Sequence, residues 1–488
     1  MLPRITIFGS CRQTAIASLT PTTDIHDRLN YPHYTSEILQ QIRYLKYRNI
    51  PEEYTKYCFR SGLLSRCSAP IRNDAYMKMK RDFDNTSLFL VEIASRISYK
   101  WNNRYMHHIA TEEAYGFYDR HAIEQRDLTD EEIEEDLIQI RNELYPKPFI
   151  VISHFATYPH GKRYELTQLL QSICHKFNIP FLNQSDLIAK YGESILVPEP
   201  VLAHYTEEGH QIVGKWMMDK IREIVDAPPV QQLYQVYYTS EERVKRYTFH
   251  GFGDYIRGVV HLYQTVQGKP VELKVNFSNH HLQSVFVCRN HLSIGECENA
   301  KYIFANNPNY DVLQHTHVFT NRFHSFPAYD AACKDFLIRN CFTPRIGFTK
   351  KLSNIKQQLS IVDGEYSILH IRLHDNETFS QSRLDTIRTI IQNIQLQYHP
   401  NEPFLLLSNS NIYFSHIHSP FLIKTQLARG HVGQNTHTAN ECIDTMVEFM
   451  LMTTSKRIVQ LSVYDWGSGF SETAHNIYDV PITRYKIA

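Results

Sequence analysis

The first half of the chain alternates short apolar runs with longer segments whose apolar positions recur every three or four residues. The apolar runs predict buried strands at Arg4–Phe8, Leu88–Ile93, Phe149–Ser153 and Pro180–Leu182. The helical spacing predicts helices at Ser36–Tyr47, Thr129–Leu144, Tyr164–Phe177 and Glu207–Val225. Thr129 and Glu132 also match the capping-box pattern. Strands that alternate with helices in this way are typical of a mainly parallel sheet with helices on both faces.

The second half repeats the alternation after a proline pair, Pro228-Pro229, which breaks the preceding helix and marks a domain boundary. Strands are predicted at Val271–Val275, Ser367–Ile371, Phe404–Leu407 and Arg457–Leu461. Helices are predicted at Asp254–Gln264, Ser382–Gln395 and Asn440–Met452. The sequence therefore predicts an α/β protein of at least two domains, the first spanning residues 1–228.

Composition narrows the class of protein. Lys+Arg and Asp+Glu both number 51 among 488 residues, which argues against a broad electrostatic grip on nucleic acid or membrane. No stretch reaches the roughly 20 apolar residues that a spanning helix needs. The start lacks the apolar core of a signal peptide, and the nine cysteines include no C-x-x-C pair. We therefore expect a cytoplasmic protein with no membrane span and no nucleic-acid partner.

Three segments of the second half combine glycine, charged and hydroxyl residues at predicted strand ends and helix starts: His250–Gly258, Leu369–Asp375 and Trp466–Ala474. Glycines allow a backbone to approach a ligand, and helix N-termini favour phosphate. Arg372 lies two residues after His370, on the same strand face, where a guanidinium can hold a diphosphate with two N–H groups. Each segment alone also has a plain interpretation, as a helix start, an Arg–Asp pair or an N-cap.

Together these segments resemble the fucosyltransferase group of GT-B glycosyltransferases. That group has a Gly-x-Gly-Asn/Asp-x-x-Arg start, a His-x-Arg-x-x-Asp strand end that binds the donor diphosphate, and a late Ser-x-Phe-Ser element. The matching positions are Gly251, Gly253, Asp254, Arg257, His370, Arg372, Asp375, Ser468, Phe470 and Ser471. The helix that carries Asp444 also fits the layout of that group.

The resemblance implies a GT-B glycosyltransferase with two Rossmann-like halves, an acceptor half at residues 235–360 and a nucleotide-sugar half at residues 361–488. It implies an inverting transfer from a nucleoside-diphosphate sugar, with GDP-fucose favoured, to a glycan or polysaccharide acceptor. Asp254, His374 and Asp375 are the candidates for the base. The family often has a second basic residue after the arginine, whereas Leu373-His374 follow Arg372 here. No metal is expected, since the second half contains no Asp-x-Asp pair.

The first half resembles SGNH (GDSL-like) hydrolases, which have a flavodoxin-like three-layer fold. Ser10 follows the first predicted strand, and His204 precedes the last helix. A serine nucleophile needs an adjacent base, and that base needs an orienting acid. The acid position of the family is occupied by Val201, so that Glu199 would substitute or a Ser–His dyad would suffice.

The first half is also compatible with functions besides serine-dependent hydrolysis. The Gly-x-Asn-Asp block of SGNH hydrolases is absent, and its nearest analogues are Ala94–Arg96 and Ser153-His154. Some capsule-biosynthesis proteins share the Gly-Ser-Cys turn, which implies acyl transfer with Cys11 as the nucleophile. Three hypotheses follow: a bifunctional enzyme that adds a sugar and adds or removes an acyl group; a transferase with a non-catalytic carbohydrate-binding module; and a lone esterase with a structural tail.

The stretch from Asn276 to Lys351 gives little pattern to interpret. His315 and His317 suggest metal, but their spacing matches no known site. Acceptor binding or packing is the expectation there.

Overall fold

The computed structural model describes residues 3–29, 31–198, 204–226, 230–238, 251–303, 311–321, 329–374, 377–398, 402–428 and 438–487. The chain forms two compact units, Met1–Pro229 and Val230–Ala488. Both are mixed α/β units built on parallel sheets. No helix in the described ranges combines the length and the apolar character that crossing a bilayer requires.

The main sheet of the first unit is parallel, with strand order β1-β2-β6-β7. Its strands are β1 (Ile5–Phe8), β2 (Leu88–Ile93), β6 (Phe149–Ser153) and β7 (Phe181–Asn183). The α-helices in the described part of this unit are α1 (Ile25–Leu29), α2 (Thr35–Tyr47), α3 (Thr55–Cys58), α4 (Arg60–Leu64), α5 (Asn73–Asp84), α6 (Asp130–Leu144), α7 (Lys162–Phe177), α8 (Ser185–Tyr191) and α9 (Glu207–Val225).

Alternate residues of the central strand β2 face opposite layers of helices, so all six residues are buried. Leu90 joins a core that includes Val213 and Met217 of α9. Phe89 faces the other layer, where its ring lies 5.0 Å from that of Phe83 on α5. A strand buried on both faces has the near-continuous apolar sequence from which it was predicted.

A small antiparallel sheet lies between β2 and α6 in the chain and was not predicted. Its strands are β3 (Ile97–Trp101), β4 (Arg104–Tyr105) and β5 (Glu124–Asp127), in the order β4-β3-β5. Strand β5 is exposed at all four positions, so it carries no apolar alternation for a sequence pattern to detect.

The second unit contains two parallel sheets. The first, of order β10-β11-β8-β9, consists of β8 (Gln231–Val236), β9 (Val271–Asn276), β10 (Lys301–Ile303) and β11 (His317–Thr320). The second, of order β14-β13-β12-β15-β16, consists of β12 (Ser367–Arg372), β13 (Phe404–Ser408), β14 (Leu422–Lys424), β15 (Arg457–Ser462) and β16 (Ile482–Lys486). Strand β8 begins at Gln231, two residues after Pro229.

The α-helices described in this unit are α10 (Phe252–Val266), α11 (Ile294–Glu298), α12 (Ala331–Cys341), α13 (Ile346–Leu359), α14 (Gln381–Gln397), α15 (Asn411–His416), α16 (Ala439–Thr453) and α17 (Gly469–Tyr478). One core joins residues of both sheets, including Val275 of β9 and Ile368 of β12. The stretch from Asn276 to Lys351, whose sequence predicted no regular elements, contains α11, α12, β10 and β11. His317 of β11 stacks on Tyr234 with ring centroids 4.9 Å apart.

Candidate functional site

The second sheet of the second unit carries His370 and Arg372 at the carboxyl end of β12. His370 is buried, and its Nδ1 lies 3.1 Å from the Ser471 hydroxyl of α17. Gln460 of the neighbouring strand β15 donates to the same hydroxyl. Burial, and then the charge of Arg372, lower the pKa of His370 to about 3. His370 is therefore a neutral link between β12 and α17.

Arg372 is half-buried at the last position of β12 and lies beside an aromatic group. Its guanidinium carbon is 5.7 Å from the centre of the Tyr464 ring. The exposed His374 meets the same ring edge-on, with centroids 4.9 Å apart. Asn409 fixes the strand end, since its side chain accepts from the Leu373 N–H at 2.9 Å and donates to the Leu373 carbonyl at 3.0 Å.

Helix α17 begins beside this strand end. Ser468 is its buried N-cap residue, and the preceding Gly467 has φ of 77°, a left-handed conformation that favours glycine. The half-buried Phe470 has its ring centroid 6.4 Å from that of His370 and 5.2 Å from that of Phe449. The late Ser-Gly-Phe-Ser element thus lies against the strand end.

The glycine turn reaches the same place from α10. A Cβ atom built on Gly253 would lie 3.3 Å from the carbonyl oxygen of Gly469, so the first turns of α10 and α17 meet backbone to backbone. The Asp254 carboxylate accepts from the Gly251 N–H at 3.1 Å and forms an ion pair with Arg257. The three segments singled out in the sequence therefore converge on one edge of the sheet.

The candidates for the base occupy different environments. The Asp254 carboxylate is engaged by the Gly251 N–H and by Arg257. The His374 side chain is exposed beside Arg372. Asp375 lies outside the described residues. Asp444, on α16, accepts from Lys351 of α13 and from the Ala428 N–H.

The first unit places its glycine turn at the corresponding edge of its own sheet, after β1. A Cβ atom built on Gly9 would lie 2.6 Å from the Cβ of Glu92 on β2, so only glycine fits this close approach. The next N–H, of Ser10, donates to the buried Glu92 carboxylate at 2.6 Å. The turn is therefore pressed against β2, and its side chains have fixed directions.

These directions separate the two candidate nucleophiles. The Ser10 side chain is buried, and its hydroxyl accepts from Arg12 at 2.9 Å. Cys11 is partly exposed, and its Sγ lies 3.9 Å from Nδ1 of His204. The side chain that faces His204 is thus the thiol of Cys11, one position beyond the serine singled out in the sequence.

The backbone around His204 explains its position. The His204 carbonyl accepts from the Val197 N–H, and the Thr206 N–H donates to the Ile195 carbonyl, both at 2.9 Å. Thr206 then caps α9 by accepting from the Gly209 N–H at 3.0 Å. Glu199 and Val201, which the acid position of the SGNH pattern would involve, lie outside the described residues.

Of the analogues of the missing block, His154 is buried, and burial lowers its pKa well below the usual range. Its Nδ1 lies 2.9 Å from the Phe155 carbonyl. The Ser153 hydroxyl lies 3.2 Å from the Asn183 side chain, and the Ser95 hydroxyl accepts from the Ile97 N–H at 3.0 Å.

A histidine cluster near the same edge is not evident from the sequence, because His33 lies far in the chain from the adjacent His107 and His108. Ligand atoms of His33, His107 and His108 all lie within 4.8 Å of one another. Burial lowers the pKa of all three, to about 3 for His33, and the charge of Arg60 contributes in each case. Neutral imidazoles suit transition metals. The Arg60 charge opposes a cation, and Nδ1 of His107 accepts from the Ile109 N–H.

Comparison with known proteins gives distant structural likenesses alone. No protein-family model and no curated relative matches this sequence. NodZ alpha-1,6-fucosyltransferase co-crystallized with GDP is 11% identical over 53% of this chain and 96% of its own, with a TM-score of 0.36. A mutant of Arabidopsis thaliana FUT1 in complex with GDP is 10% identical over 62% of this chain and 78% of its own, also with a TM-score of 0.36. Likeness this distant establishes neither the activity nor the site residues of this chain.

Proposed function

We propose that the second unit, Val230–Ala488, is an inverting GT-B-type glycosyltransferase that uses a nucleoside-diphosphate sugar, with GDP-fucose favoured, and a glycan acceptor. The supporting observation is that the end of β12, which carries Arg372, contacts α17 through His370 and Ser471, and that the first turn of α17 meets the first turn of α10. In open α/β sheets, ligands bind beyond the carboxyl ends of the strands. A guanidinium beside two helix N-termini suits a diphosphate.

In the proposed glycosyl transfer, Arg372 and His374 have separate roles. The acceptor hydroxyl oxygen attacks the anomeric carbon of the donor, and the bond from that carbon to the phosphate oxygen breaks. Arg372 stabilises the departing diphosphate, and the acceptor proton passes to a base. We assign the base to His374, whose side chain is exposed beside Arg372, because the Asp254 carboxylate is engaged by Gly251 and Arg257.

Binding of GDP to the full chain tests this proposal. GDP should raise the thermal midpoint, because a ligand that binds only the folded state stabilises it. Arg372→Ala should abolish the shift, whereas Arg388→Ala, which removes an exposed arginine of α14, should leave it intact. Equal shifts in the two variants, or none with wild type, would exclude this donor site.

A second candidate function concerns the first unit, for which we propose acyl transfer or ester hydrolysis on a glycan. The supporting observation is the 3.9 Å separation between Cys11 Sγ and His204 Nδ1. His204 takes the thiol proton, the thiolate attacks the acyl carbonyl, and a thioester forms as the alcohol leaves with that proton. Water or a second hydroxyl then cleaves the thioester. In this proposal Ser10 supports the turn.

Labelling with iodoacetamide distinguishes a Cys–His pair from a non-catalytic carbohydrate-binding module. Cys11 should be alkylated faster than Cys67, which is also partly exposed, and His204→Ala should slow labelling of Cys11 alone. With an aryl acetate, Cys11→Ala should remove turnover, and Ser10→Ala should retain most of it. Turnover that survives Cys11→Ala and disappears in Ser10→Ala would show that Ser10 is the nucleophile.

A further inference from the structure

A short loop between β15 and α17 presents two aromatic rings beside Arg372. Tyr464 is half-buried, and Trp466, with 71% of its surface accessible, is among the most exposed large side chains described. The two rings stack with centroids 4.8 Å apart and planes inclined by 28°. We call Tyr464 and Trp466 the aromatic platform.

The backbone holds this platform in place. The Tyr464 N–H donates to the Ser462 hydroxyl at 3.0 Å, and the Gly467 N–H donates to the Tyr464 carbonyl at 3.2 Å. The Val463 N–H donates to the Arg372 carbonyl at 3.1 Å, which ties the loop to the strand end. The loop is thus a closed turn, and Trp466 stands at its tip.

The two neighbouring chemistries indicate one class of ligand. Arg372 offers a guanidinium to a diphosphate, and the Tyr464 ring lies 5.7 Å from that guanidinium. Trp466 extends the aromatic surface with a face that remains accessible. A nucleoside diphosphate carries an anionic group and a planar base joined by one ribose, so one ligand can meet both surfaces. Stacking of a base on an aromatic side chain is favourable for any base, and a purine offers the larger face.

We propose that the aromatic platform binds the base of the donor nucleotide, a purine, while Arg372 binds its diphosphate. This inference rests on the proposed transferase function of the second unit. It adds Tyr464 and Trp466 as binding residues beyond the matched glycine, arginine and serine positions of the three motifs. A sugar ring of the acceptor is the competing occupant of the platform.

The experiment compares ligands with and without a base on the full chain by calorimetric titration. Trp466→Ala should weaken GDP binding roughly tenfold to a hundredfold and leave the binding of inorganic pyrophosphate unchanged. Trp466→Phe should restore most of the loss. Phe379→Ala, which removes another exposed aromatic residue of the same unit, should change neither affinity.

The outcomes separate this inference from the function on which it rests. If GDP binds through Arg372 and Trp466→Ala leaves its affinity unchanged, the platform assignment is wrong and the transferase proposal stands. The assignment is also wrong if Trp466→Ala weakens GDP and pyrophosphate equally, since the residue then acts through the fold. If neither ligand binds wild type, the donor site itself is absent. The chain contains three tryptophans, so quenching by GDP that Trp466→Phe removes would locate the base directly.

Discussion

The two units use the same edge of a parallel sheet in different ways. In the second unit, the end of β12 is tied to α17 through His370 and Ser471, and the first turns of α10 and α17 meet backbone to backbone. In the first unit, one turn is pressed on β2, and the side chain that it presents to His204 is a thiol. The sheet topology indicates where a candidate site lies, but the local backbone decides which atom is presented there.

The two units also differ in the described histidines whose pKa is lowered by burial, and this difference predicts the largest effect. Burial lowers the pKa of His26 to about 4 and of His33 to about 3, and it holds those of His107 and His154 well below the usual range. Among the described residues of the second unit, burial lowers the pKa of His370 and of His317, and His261 and His280 are also buried. As pH falls below about 6.5, the unfolded chain takes up protons that the native state excludes. Each such histidine then costs about 1.4 kcal/mol of stability per pH unit.

We therefore expect the first unit to unfold at higher pH than the second during acid titration. The carboxyl groups of the first unit act in both directions. Burial raises the pKa of Glu37 to about 8 and raises those of Asp82, Asp136 and Asp186, which favours the native state at lower pH. Hydrogen-bonded cations lower the pKa of Asp24, Glu132 and Glu143, which has the opposite effect, so the histidines decide the direction. Pulse labelling of buried cysteines with a pyridyl disulfide would follow each unit, through Cys174 in the first and Cys341 in the second. If Cys341 became labelled at a higher pH than Cys174, the second unit would unfold first and the prediction would be wrong.

The two serines at these sites predict a smaller effect. Ser471→Ala would remove the hydroxyl to which both His370 and Gln460 are hydrogen-bonded in a buried site. We expect it to lower the free energy of unfolding by about 1–3 kcal/mol. Ser10→Ala removes one acceptor from Arg12, which has further interactions, so we expect a smaller loss. Urea midpoints from the same cysteine labelling would measure both, with Ser382→Ala on the exposed face of α14 as the control. A larger loss for Ser10→Ala would mean that the turn depends on its hydroxyl.

Periodicity in the sequence located the regular elements well. The predicted strands Leu88–Ile93 and Phe149–Ser153 and the helix Glu207–Val225 agree with the structure at both ends. They could be predicted because burial on two faces or one face imposes a pattern on consecutive residues. The exposed strand β5 and the short strands of the second unit carry no such pattern.

The candidate sites were harder to predict from the sequence, because their contacts join residues that lie far apart in the chain. The proximity of Cys11 to His204 depends on how Glu92 holds the turn, and no spacing encodes that contact. The engagement of the Asp254 carboxylate by the Gly251 N–H likewise appears only once α10 is built. The stacking of Tyr464 on Trp466 depends on the conformation of a loop in which Gly467 adopts a positive φ, and the sequence indicates only a turn there.

The capping boxes at the N-termini of α6 and α16 predict the smallest effect, and they predict it equally for the two units. Thr129 of the first unit and Thr438 of the second each accept from the N–H three residues later at 3.2 Å. In return, the Glu132 carboxylate accepts from the Thr129 N–H at 2.8 Å, and the Glu441 carboxylate accepts from the Thr438 N–H at 2.7 Å. Each Thr→Ala substitution should cost about 1 kcal/mol in its own unit, measured as a urea midpoint by cysteine labelling. Since the two caps have the same geometry, a loss in one unit alone would show that α6 and α16 contribute unequally to the stability of their units.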